Sequence, residues 1–121
     1  MTALELIEGA LTRTRDATLR ASEGLTREEL MWQPGPKANH IGFLLWHIGR
    51  VEDMWVNRFI RAQPEVWEAE GWAERCGGPV REIGYGFDAE QVKGVRWMTP
   101  SNSSFAAITV WPMVSPWRCS R

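Results

Sequence analysis

The sequence predicts an all-α fold, a small helical bundle. Three observations carry that expectation. A capping box at Thr2 opens a long stripe of apolar and small residues, a second box follows at Thr26, and residues 40–62 show an apolar arc of helical period. The 121 residues fit one domain.

The first helix starts where the Thr2 hydroxyl can accept from a free backbone N–H while Glu5 reaches back. Leu4, Ile7, Leu11, Thr14, Thr18 and Ala21 then line one face, with Arg13, Arg15, Asp16 and Arg20 mostly off it. Gly24 supplies the left-handed stop and Leu25 its apolar contact. Thr26 and Glu29 start a short turn through Leu30 and Met31, which Pro34-Gly35-Pro36 breaks.

The second long helix is expected from an N-cap at Asn39 to about Ala62, before Pro64. At 100° per residue, His40, Phe43, Leu44, His47, Ile48, Val51, Trp55 and Phe59 fall within one arc wider than a half-turn. Such an arc contacts two neighbouring helices. Leu4, Ile7 and Leu11 are therefore expected to pack antiparallel on its C-terminal part, around Val51, Trp55 and Phe59. Gly42 and Gly49 share another side, which points to close approach of a further element. Residues 64–90 read as a long connection with short helical turns, and Asp88 with Gln91 caps another.

Composition changes after Glu90. Residues 91–121 carry Lys93, Arg96, Arg118 and Arg121 but no acid, and Pro100, Pro112 and Pro116 interrupt them. A bundle needs two more long helices, and this stretch is too short and too irregular to supply them. The division expected is residues 1–93 as the helical unit and 94–121 as an atypical tail, of the kind a shift of reading frame near residue 95 produces. The face around Leu44, Ile48 and Trp55 then stays partly uncovered in a monomer, and either a homodimer completes the bundle with two helices from each copy or the chain is unstable.

The net charge of −1 argues against a nucleic-acid partner. The longest apolar run, Ile41 to Ile48, is far shorter than a membrane span and contains His47. The N-terminus lacks the basic start and apolar core of a signal peptide, and Cys76 and Cys119 do not form a disulfide framework. A cytoplasmic protein is expected. Eight tryptophans point to aromatic-rich packing or a cleft.

His47 is the main candidate for chemistry. Inside an apolar arc an imidazole needs a hydrogen-bond partner or a metal. The alternative is a core histidine bonded to a carbonyl. His40 lies two turns earlier, too far to share an ion with it unaided, and reads as a residue of the helix entrance. Glu52 falls within the arc and can pair with an arginine of another helix, whereas Asp53 reads as a solvated face. Neither is a convincing partner for His47 as a general base. Arg75 beside Cys76 can lower its pKa, a weak signal.

The run Leu25 to Pro34, the stretch Asn39 to Ile48 with its Leu44-Leu45-Trp46-His47-Ile48 core, Val51 to Trp55, Val66-Trp67-Glu68 to Gly77, and Gly84-Tyr85-Gly86-Phe87-Asp88 together resemble the DinB-like superfamily (DinB/YfiT). The resemblance covers residues 1–93. It implies a four-helix bundle and, in many members, a divalent metal such as zinc or nickel held by three histidines. One of these sits on the second helix and two form an H-x-x-x-H on the last. His47 matches the first, and the other two are absent. Relatives include transferases and isomerases using a low-molecular-weight thiol that the metal activates. The expectation is a metal-dependent enzyme of that kind, its catalytic and cofactor-binding residues and small-molecule substrate unknown, with an incomplete site. The alternatives are a non-catalytic helical dimerisation or binding module, or an inactive truncated product.

Overall fold

The computed structural model describes residues 1–95, apart from the Arg75 side chain. They are helical, without strands. α1 (Ala3–Ser22) opens with the expected reciprocal cap between Thr2 and Glu5. Gly24 turns the chain at φ +75°. α2 (Arg27–Leu30) repeats the box with Thr26 and Glu29.

α3 (Ile41–Asp53) begins one residue later than the sequence indicates, because His40 and not Asn39 is its cap. His40 Nδ1 accepts from Phe43 N at 2.9 Å. The chain then continues as a π-helical segment, Met54–Ile60, close to the expected end. Periodicity over seven residues does not separate a π-helix from an α-helix, so that widening was not legible.

The connection folds into α4 (Val66–Ala69) and α5 (Trp72–Cys76), and α6 (Ala89–Gly94) is capped by Asp88 and Gln91. This connection forms the core. Leu30 from α2, Phe43, Leu45 and Trp46 from α3, Trp67, Trp72 and Ala73 from α4 and α5, and Val92 and Val95 bury one another. Trp46 and Trp67 meet edge to face, their centroids 6.3 Å apart.

The packing expected between α1 and α3 is not found. Leu4 is 65% exposed, Ile7 56% and Leu11 45%, and across from them Trp55 and Phe59 are equally open. The buried side of α3 carries Gly42, Phe43, Trp46, Gly49, Arg50 and Asp53, away from the centre of the apolar arc. A Cβ at Gly42 would meet the Leu30 carbonyl oxygen at 3.5 Å, an ordinary contact, so the close approach expected from this glycine is not what the packing requires. Leu44 and Ile48 are exposed, on the face the sequence expects to be partly uncovered. The tail itself, from residue 96 on, lies outside the described residues.

Arg50 and Asp53 are on the buried side because their charges are matched there. Arg50, fully buried, bonds Glu65 at 2.7 Å, lies 3.5 Å from Asp53, donates to the Val80 carbonyl and sits over the Trp67 ring. Asp53 accepts from Val66 N, Trp67 N and Asn57 Nδ2, so it caps α4 from another helix. The solvated face expected for Asp53 is thus wrong. Removing one partner of such a network strands the others in a dry site. Arg50→Leu is expected to lose about 3–5 kcal/mol, read by urea denaturation, whereas Arg58→Leu, at the exposed edge of Glu65, should lose less than about 1 kcal/mol. Equal losses would show that burial of the pair is not what matters.

Candidate functional site

α1 and α3 flank an open cleft of about 480 Å³. Its walls are apolar: Leu11 and Leu19 on one side, Leu45, Ile48, Val51 and Val56 on the other. Five polar side chains join them: Thr14, Arg15 and Thr18 from α1, and His47 and Glu52 from α3. The volume and the few polar groups suit a small-molecule site.

His47 is held in place from the far side of α3. Its ring stacks on Phe43 at 5.6 Å, nearly parallel, and its Nδ1 bonds the Ile83 carbonyl. A carbonyl only accepts, so Nδ1 carries the proton and Nε2 keeps its lone pair. The half-buried imidazole lines the cleft with no partner for Nε2 among the described residues. The carbonyl-bonded reading of His47 is therefore met, and that bond fixes its tautomer.

Gly84 makes that bond possible. At φ +89°, a Cβ here would come within 2.9 Å of Phe43 and Trp46. Only glycine lets this backbone lie against the α3 rings, next to the Ile83 carbonyl. Phe87 follows onto the same rings, 6.0 Å from both.

His40 plays a different part. Nδ1 caps α3, so Nε2 carries the proton and donates to the Val92 carbonyl at 2.9 Å. Both nitrogens are engaged and the ring is buried, which ties α3 to α6 and leaves no lone pair for an ion.

Glu52 stands in the cleft with its pKa pushed up to about 7, chiefly by burial, with Asp53 adding to the rise and Arg15 opposing it. The structure thus brings Glu52 and His47 to one cleft, although their directions on the wheel differ. The arginine expected for Glu52 is Arg15, which acts through its field rather than a contact pair. Cys76 ends α5 and packs against the core, and the Arg75 side chain expected to act on it lies outside the described residues. Arg15 was missed as a site residue, since nothing in a one-helix stripe shows what faces it.

The fit to a three-histidine metal centre is partial. One ligand nitrogen is prepared, but among the described residues no three His, Cys, Asp or Glu side chains are grouped to hold an ion. Nor is any described helix long and apolar enough to cross a membrane.

No protein of curated function matches the chain significantly. The sequence profile of the DinB superfamily matches residues 10–103, which include α3, the short-helix connection and the Gly84 turn. With the helical architecture described above, this match establishes that the chain belongs to the DinB superfamily.

Proposed function

We propose that this chain supplies His47 as a metal ligand to a DinB-type enzyme centre, of the kind that serves thiol-dependent transferases and isomerases, with the α1–α3 cleft as the substrate side. The observation that supports it is the fixed tautomer: the Nδ1–H bond to Ile83 leaves Nε2 as a ligand beside an apolar cleft. The centre is incomplete within one copy, because the sequence holds two histidines and His40 is fully engaged. Binding of zinc or nickel is therefore expected to be weak and to depend on His47. Calorimetric titration with each ion should show uptake that His47→Ala abolishes while the melting temperature falls by only a few degrees. Identical uptake by wild type and His47→Ala would refute the assignment.

The second reading is a dimerisation module, favoured by the exposed apolar faces of both long helices. A second copy brings the two further helices that a four-helix bundle requires. Sedimentation velocity should then show a dimer that Trp55→Glu converts to a monomer. A stable, dilute wild-type monomer with cooperative unfolding contradicts this reading.

A further inference from the structure

We propose that the cleft between α1 and α3 binds an organic carboxylate with an apolar body, Arg15 taking the carboxylate and Leu11, Leu19, Leu45, Ile48 and Val56 the hydrocarbon. The proposal rests on the cleft and not on the metal reading of His47.

Two observations carry it. The walls are almost wholly apolar, so the ligand needs a hydrocarbon or aryl body. The single cation among the lining residues is Arg15, which makes no ion pair among the described residues, and its buried Nε has no hydrogen-bond partner there. A guanidinium in that position calls for an anion, and carboxylate matches its fork. Glu52 does not fill the role: it stands in the same cleft but makes no contact pair with Arg15, and burial favours its neutral form. Protonated, it can donate a hydrogen bond to the incoming carboxylate. Ionised, it repels that carboxylate and draws on the Arg15 field.

The groups that face this site are Arg15 on α1 and His47 and Glu52 on α3, with Asp53 adjacent but held by the Arg50 network. Glu52 loses its proton through about pH 7, so affinity should fall as pH rises from 6 to 8. Carboxylate ligands stay ionised throughout that range, so the change belongs to the protein.

The test is calorimetric titration of the full chain, with a chelator present, using 4-phenylbutyrate and its neutral amide as probes. Wild type should bind the acid about tenfold more tightly than the amide at pH 6, with the preference shrinking by pH 8. Arg15→Gln should bind acid and amide alike. Glu52→Gln should keep the preference and lose the pH dependence. Equal wild-type affinity for acid and amide, no binding of either, or a preference that survives Arg15→Gln would overturn the proposal. A pH dependence that persists in Glu52→Gln would overturn the role given to Glu52. Because the chelator removes any ion, failure here leaves the His47 metal reading standing, and failure of metal binding leaves this one.

Discussion

The buried ion pair between Arg50 and Glu65 is the constraint around which the rest of the structure is arranged. A charge removed from water must be matched, and Arg50 is matched four ways: by Glu65, by Asp53, by the Val80 carbonyl and by the Trp67 ring. Each partner comes from a different part of the connection or from α3 itself. Asp53 in turn binds the first free N–H groups of α4. This network fixes where residues 65–80 lie along α3 and brings Trp67 against Trp46. The connection is thus folded onto α3 by polar geometry as much as by apolar burial.

The functional side depends on the same placement. With the connection held on one side of α3, the Gly84 turn meets Phe43 and Trp46, beside the carbonyl that fixes His47. The opposite side of α3 faces α1 across the cleft. His47 therefore bridges two environments, anchored through Nδ1 to the packed side and offering Nε2 on the cleft side.

Local signals were readable in the sequence. The three capping boxes at Thr2, Thr26 and Asp88 have only short-range requirements, and all three form. The helical character, the Gly24 stop and the engagement of His47 followed from the pattern for the same reason. What failed was pairing. The wheel ranked faces by apolarity and so set α1 against Val51, Trp55 and Phe59 and left Asp53 to solvent, whereas Trp55 and Phe59 are exposed and Arg50 and Asp53 are buried. Their burial depends on Glu65, Val66, Trp67 and Val80, which lie 12 or more residues from Asp53, and no helical periodicity reaches that far. The cleft partners of His47 were hidden likewise, because Arg15 sits on another helix.

The Ile83 carbonyl sets the tautomer of His47 and so leaves Nε2 without the proton. Long-range ¹H–¹⁵N correlation spectra of the imidazole groups measure this directly, with His47→Gln to assign the signals. At pH above the imidazole range, His47 should show a protonated Nδ1 and an unprotonated Nε2, and His40 the reverse. A protonated Nε2 on neutral His47 would contradict control of the tautomer by Ile83.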